Sequence, residues 1–168
     1  SPVVGAVRMV TAAEAPGEAR LTPARRVGPS GHVIAADLSR SMLDVAAEAA
    51  SKEGLTNVET RVMNAESLAL NSDSFDAVIC RNALMLFPNP AKALAEMRRV
   101  VKPGSKVAAM VFSAAERNPH HGIPFAIIRC LGNVPLPAPG EPWIFALGDP
   151  RALEDVYKKA GFLNVSVR

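Results

Sequence analysis

Short apolar runs alternate along this chain with segments whose apolar residues recur at helical spacing. Residues 32–36, 58–63 and 75–80 predict strands, whereas residues 40–52 and 90–101 predict helices. Strands that alternate with helices are typical of a mostly parallel central sheet with helices on both faces. The sequence therefore predicts an α/β fold, in which ligands bind at the carboxyl ends of the strands.

The later part of the chain departs from this alternation. Residues 102–105 should break the preceding helix before a strand at 106–112. Seven of the 14 prolines lie from Pro119 to Pro150. We expect residues 114–149 to form a Pro-rich, mostly loop-like insertion with a short helix at 126–131, and to act as a lid or acceptor-site wall.

The carboxyl-terminal end returns to the α/β pattern. Asp149 has the character of an N-cap and Pro150 suits the first helical position, so a helix should begin there. Residues 164–168 are expected to begin a further strand.

Composition favours one folded domain over residues 1–168. Of the 168 residues, 49% are hydrophobic and 21% are charged, so a self-sufficient core is expected. The net charge of +3 comes from scattered basic residues, and we expect no nucleic-acid partner. Cys80 and Cys130 have no metal-ligand spacing, which predicts free thiols and no bound metal.

Targeting signals are also missing from the sequence pattern. The apolar runs are shorter than the roughly 20 residues of a membrane span, and residues 1–16 lack the character of a signal peptide. We therefore expect a soluble cytoplasmic protein. Because the chain starts with Ser1 rather than Met, we expect it to begin inside a longer protein.

Three polar side chains follow predicted strands and are candidates for chemistry. A carboxylate such as Asp37 can accept hydrogen bonds from both ribose hydroxyls of a nucleoside, or it can cap a turn. Asn64 suits the edge of an adenine but is also common in turns. Arg81 can hold a carboxylate bidentately or lie exposed at a strand end. Residues 84–87 are expected to be core or pocket wall.

A nucleotide-binding fold should carry a Gly-rich loop about 20 residues before an acid such as Asp37. Only Gly17 remains of a glycine triplet there, although Ala13 and Ala15 are small enough to allow close approach. Pro16 removes a backbone donor from the same loop. We expect residues 9–17 to form a first strand and a loop with poor cofactor geometry.

The insertion carries adjacent histidines, His120 and His121. Neighbouring histidines rarely bind one metal ion together, so a surface or lid position is favoured. A role as general base stays open because histidine titrates near neutrality. The sequence identifies no catalytic residue.

Taken together, these segments resemble the class I S-adenosylmethionine-dependent methyltransferases. The resemblance is greatest to the ubiquinone/menaquinone-biosynthesis type of small-molecule enzyme (methyltransferase type 11). It covers about residues 27–113 and is carried by residues 28–39, 42–43, 64–68, 74–78 and 94–104. A nicotinamide-dependent oxidoreductase would have the same kind of parallel sheet, but the pattern of that class lacks the 37–43 segment and the turn at 101–104.

The resemblance implies a Rossmann-like fold and assigns S-adenosylmethionine as cofactor, with S-adenosylhomocysteine as product. Asp37 would bind the ribose hydroxyls, and Leu38 and Met42 would pack on the adenine and ribose. Asn64 stands where the family usually has an Asp facing the adenine, and the backbone N–H of Ala65 would meet the ring. Arg81 would lie near the methionine part.

Relative to the family, the chain is expected to be truncated. Ala13, Ala15 and Gly17 stand in a degraded Gly-rich motif, and the final antiparallel strand is expected to be missing. The predicted function is methyl transfer to a small, apolar molecule, suggested by Trp143 and Phe145. The alternative is a methyltransferase-like domain or fragment that has lost the cofactor and serves a structural or interaction role. The open sheet edge left by the missing strand is expected to allow a homodimer.

Overall fold

A computed structural model describes residues 8–12, 21–138 and 140–168. The strands are β1 (Arg8–Ala12), β2 (His32–Asp37), β3 (Val58–Val62), β4 (Phe75–Arg81) and β5 (Val101–Met110). The helices are α1 (Thr22–Val27), α2 (Arg40–Lys52), α3 (Pro90–Val100), α4 (Pro119–Gly132) and α5 (Pro150–Lys159). Single turns of 3₁₀ helix occupy Leu84–Leu86 and Ala115–Arg117.

The five strands form one sheet in the order β3-β2-β1-β4-β5, and every pairing between them is parallel. This arrangement confirms the predicted α/β fold with a parallel central sheet. The predicted first strand is also confirmed, because β1 lies in the middle of the sheet between β2 and β4. The chain changes direction across the sheet between β1 and β4, so the carboxyl ends of these two strands flank the topological switch point.

The helices begin where local capping predicts. The hydroxyl of Ser39 accepts a hydrogen bond from the backbone N–H of Met42 at the start of α2. The carboxylate of Asp149 accepts one from the backbone N–H of Arg151 at the start of α5, over 2.8 Å. Each cap satisfies a backbone donor that has no partner inside its own helix.

One part of the core lies between the sheet and α3. Phe75 and Val78 of β4 are fully buried, as are Leu94 and Met97 of α3. Buried apolar side chains of this size contribute about 1.5–3 kcal/mol each. The core therefore holds α3 firmly against the sheet, which fixes the loops that lead into and out of it.

Three expectations are corrected. Residues 102–105 do not separate α3 from the next strand, since β5 begins at Val101 and a register shift opposite Phe75 accommodates them. The insertion carries a helix of 14 residues rather than a short one at 126–131. Pro119 occupies the first turn, where its missing N–H costs nothing, and Pro124 lies inside the helix without ending it.

The third correction concerns the end of the chain. Residues 164–168 form no strand and pair with no other described residue in the sheet. Gly161 adopts a φ of 87°, and the backbone N–H of Phe162 then bonds back to the carbonyl of Tyr157 over 3.2 Å. Phe162 packs edge-on against the Tyr157 ring, and Phe162 and Val165 lie against the core.

Candidate functional site

A cleft of about 180 Å³ opens at the carboxyl ends of β2 and β3. Its walls are mainly apolar, with a carboxylate and an amide at the rim. The lining residues are Ala36, Asp37, Leu38, Met63, Asn64, Ala65, Glu66, Phe87 and Pro88. A concave apolar site with a few polar groups is the usual form of a small-molecule binding site.

The pairing of β2 with β3 brings two of the predicted residues together. The backbone N–H of Met63 donates to the carbonyl oxygen of Asp37 over 3.0 Å. This bond continues the parallel ladder one residue beyond the end of β3. As a result, Asn64 leaves the sheet beside Asp37, although 27 positions of sequence separate the two residues.

Asp37 has a local structural role as well as a place on the cleft wall. Its Oδ1 atom accepts a hydrogen bond from the backbone N–H of Ser39 over 2.9 Å. The turn-capping interpretation of this residue is therefore confirmed. The half-buried carboxylate is held in position where the chain passes from β2 into α2.

Asn64 likewise stabilises its own turn. Its Oδ1 atom accepts from the backbone N–H of Glu66 over 2.9 Å, and its carbonyl accepts from Ser67 over 3.0 Å. Ala65 follows with its side chain buried. The turn therefore presents a small residue and an exposed amide to the cleft.

The remaining predicted residues are less closely grouped. Leu38 lies at the rim with 68% of its surface exposed. Met42 is half-buried on α2 and Arg81 is half-buried at the end of β4, and neither lines the cleft. Ala13, Ala15 and Gly17 lie outside the described residues.

Two residues of the cleft, Met63 and Pro88, were not singled out from the sequence. Met63 directly precedes Asn64, so the end of the β3 pattern was the signal that could have identified it. Pro88 follows Phe87, for which the sequence predicts a place in the core or the pocket wall, and Phe87 does line the cleft. Leu84 and Met85 are buried, whereas Leu86 is 51% exposed.

Aromatic side chains collect beyond the carboxyl end of β5, in the predicted insertion. The ring of His121 lies 4.7 Å from that of Phe112, edge to face. The Trp143 ring lies 5.6 Å from Phe125 of α4 and 5.3 Å from Phe145. The Phe145 ring is buried, and the other four rings are half-buried.

Other functional groups do not cluster. Across residues 8–12, 21–138 and 140–168, no three His, Cys, Asp or Glu side chains could together hold a metal ion. Cys80 is buried in the core and Cys130 is exposed on α4, and neither forms a disulfide bond within the described part of the chain. None of the described helices is long and apolar enough to cross a membrane.

The fold is a Rossmann-like α/β domain with a cleft at its strand ends. A family profile described as "Methyltransferase domain" matches residues 15–109, which is more than half of the chain. The chain therefore belongs to this family of methyltransferase domains. The resemblance inferred from the sequence is confirmed.

Curated relatives point the same way. The chain is 38% identical over 91 residues to the ubiquinone/menaquinone biosynthesis C-methyltransferase UbiE of Hydrogenovibrio crunogenus, covering 54% of this chain and 36% of that protein. It is 32% identical over 160 residues to a demethylmenaquinone methyltransferase of Anoxybacillus flavithermus, covering 86% and 65% respectively. The chain thus spans only part of the length of these relatives.

A solved structure with a similar fold is that of the CurJ carbon methyltransferase. The two share 14% sequence identity with a TM-score of 0.73, over 100% of this chain and 46% of the other. At this identity, the likeness concerns the fold alone.

Proposed function

We propose that this chain transfers the methyl group of S-adenosylmethionine to a small, apolar molecule. The observation that carries the proposal is the cleft in which Asp37 and Asn64 meet above apolar walls. The sulfonium of the cofactor supplies the methyl group and the driving force for its transfer. The protein has to bind the cofactor, exclude water and align the acceptor.

The described residues fit the adenosine part of that cofactor. A carboxylate can accept hydrogen bonds from both hydroxyls of a ribose, and Asp37 is fixed at the rim by Ser39. Leu38 and Phe87 offer apolar surface for the faces of the base, and Asn64 can both donate to and accept from its edge. Ala65 leaves room for the ring because its side chain is small.

Met42 and Arg81 are also proposed to contact the cofactor, although neither lines the cleft. Met42 lies on the first turn of α2, immediately after the cleft residues. Arg81 ends β4, next to the switch point, where the methionine part and the acceptor would meet. For Ala13, Ala15 and Gly17, the proposed contact with the methionine part rests on the sequence resemblance alone.

We further propose that residues 114–149 form the acceptor side of the site. Ile123, Ile127 and Leu131 of α4 are all more than half exposed, so this helix offers apolar surface to a ligand. The ring cluster around Trp143 adds flat aromatic surface. Both features suit an apolar acceptor. The ubiquinone/menaquinone and demethylmenaquinone methyltransferases among the relatives support a quinone-like one.

A transfer assay with a naphthohydroquinone as acceptor tests this function. We expect the product to gain one methyl group by mass spectrometry when S-adenosylmethionine is present. Trp143 is the sole tryptophan of the chain, so its fluorescence should change when the acceptor binds. Cofactor binding without methyl transfer would contradict the acceptor class. A folded chain that binds neither ligand would favour the alternative, a domain that has lost the cofactor.

A homodimer is the proposed oligomeric state. Within the described residues, β5 pairs only with β4, so its outer edge is available to a second chain. Lys102, Pro103 and Lys106 discourage pairing along the first half of that edge, which leaves residues 107–110 for the contact. Light scattering should give twice the chain mass of 17.7 kDa, and a monomer would contradict the dimer.

A further inference from the structure

The cleft is bounded on one side by an irregular segment, the cleft-wall loop of residues 64–70. Three of its residues, Asn64, Ala65 and Glu66, line the cleft. The loop is part of no helix and of none of the five strands. Hydrogen bonds within the loop stabilise the turn at Asn64, whereas contacts from elsewhere hold the loop in place on the molecule. Those contacts come from α3.

Arg99, near the end of α3, holds the far end of the loop by its backbone. Its Nη1 atom donates to the carbonyl oxygen of Leu70 and its Nη2 atom to that of Leu68, each over 2.9 Å. The same guanidinium donates to both carboxylate oxygens of Glu96, over 2.7 and 2.8 Å. Several acceptors at fixed angles suit the planar fork of arginine and cannot all be met by the ammonium of lysine.

Glu96 completes the grip on Leu68. Its Oε2 atom accepts the backbone N–H of Leu68 over 2.9 Å. Glu96 and Arg99 therefore bind the backbone N–H and the backbone carbonyl of the same loop residue, Leu68. The Leu68 side chain is buried in the core below. The loop is therefore fixed by its backbone and by its side chain at the same point.

The near end of the loop is attached to the start of the same helix. The Oε1 atom of Glu66 accepts the backbone N–H of Asn89 over 2.8 Å, and Asn89 is the N-cap of α3. Thus α3 holds the cleft-wall loop at both of its ends. The core fixes α3 against the sheet. These bonds to α3 therefore hold the loop at a fixed position relative to β2, which belongs to the same sheet.

We propose that Glu96 and Arg99 are positioning residues for the cofactor: they hold the cleft-wall loop so that Asn64 and Ala65 face the adenosine. This inference rests on the proposed function. The two side chains remain 22% and 35% exposed, and ion pairs of that kind add little to global stability. Their contribution lies in satisfying the loop backbone, which would otherwise be free to adopt other conformations.

The test compares Arg99→Lys with Arg98→Lys in calorimetric titrations with S-adenosylhomocysteine. Arg98 directly precedes Arg99 in the same helix, but its guanidinium lies beside Gly161 instead of the loop. We expect Arg99→Lys to weaken binding about tenfold while the control binds as the wild type does. Equal affinity of Arg99→Lys and wild type would overturn the positioning role and leave the proposed function standing.

A double-mutant cycle separates positioning from general destabilisation. If Arg99 acts through the loop, Arg99→Lys should cost much less affinity in an Asn64→Ala background than in the wild type. Additive losses would contradict the inference. Amide hydrogen exchange adds a readout without ligand, in which Arg99→Lys should speed exchange at Leu68 but not in β4.

The two proposals fail in different ways. A wild-type chain that does not bind S-adenosylhomocysteine overturns the proposed function and, with it, the role toward the cofactor. Unchanged exchange at Leu68 in Arg99→Lys overturns the grip on the loop, whatever the chain binds.

Discussion

The backbone N–H of Met63 donates to the carbonyl oxygen of Asp37 over 3.0 Å, and this bond aligns the ends of β2 and β3. A parallel ladder places equivalent ends of neighbouring strands at one edge of the sheet. Asn64, one residue further on, is thereby brought to the cleft that Asp37 borders. The polar part of the site therefore follows from the register of two strands.

Leu38 should matter for binding but not for folding. Its side chain is 68% exposed at the rim, so Leu38→Ser removes little core packing. Covering part of a leucine with the ligand contributes about 1 kcal/mol, or roughly a fivefold change in affinity. We expect that loss in titrations with S-adenosylhomocysteine and an unchanged melting temperature. Leu163→Ser is the matched control, since Leu163 is 92% exposed and far along the chain.

Tyr157 should titrate at unusually high pH. Burial raises the pKa of its hydroxyl from 10.0 to about 12. Because the folded pKa exceeds the unfolded one, its contribution to stability is complete below pH 10 and is lost as pH rises through 12. Tyr157 is the sole tyrosine, so the phenolate absorbance of the chain reports this group alone. A midpoint equal to that of the denatured chain would contradict the burial of this side chain.

The ion pair of Glu96 and Arg99 should make the free energy of unfolding depend on pH in the acid range. The hydrogen bond from Arg99 holds the pKa of Glu96 below its ordinary value of 4.5. The stabilisation is therefore complete above pH 4.5 and is lost as pH falls through the lower, folded pKa. Wild type and Glu96→Gln should differ by less than about 1 kcal/mol in unfolding free energy at pH 7.

That difference should shrink as the pH falls below 4.5 toward the lower, folded pKa, because protonation of Glu96 then makes it neutral like the glutamine. Denaturant titrations at several pH values measure it directly. A difference in unfolding free energy that does not change with pH would mean that the charge of the Glu96 carboxylate does not stabilise the fold.

Much of the sheet could be predicted because its determinants are local. The strand at 75–80 is recognisable from six consecutive residues, and the start of α5 from Asp149 and Pro150. Asp37 and Asn64 could be singled out for the same reason, since each directly follows a strand. In these segments the local preference of the sequence agrees with the conformation that the tertiary structure requires.

The failures come from tertiary structure. Prolines usually mark loops, yet Pro119 and Pro124 lie in a helix of 14 residues. Pro103 and Gly104 have the character of a turn but are absorbed by a register shift at the beginning of β5. The role of Arg99 was also not recognisable, because the loop it holds lies 29 residues away in sequence.

The central claim is that the cleft between β2 and β3 binds the adenosine of the cofactor through Asp37. Calorimetric titration of S-adenosylhomocysteine into wild type, Asp37→Asn and Asp44→Asn tests it most directly. The amide of Asp37→Asn can still accept the bond from Ser39, so the fold should be kept. Asp44→Asn makes the same change at an exposed position of α2.

We predict micromolar binding by the wild type and by Asp44→Asn, and an affinity about 10- to 100-fold lower for Asp37→Asn, because hydrogen bonds to a charged group are worth about 1.5–3 kcal/mol. If a folded wild-type chain does not bind, or if Asp37→Asn binds equally well, the assignment of this cleft to the cofactor is wrong.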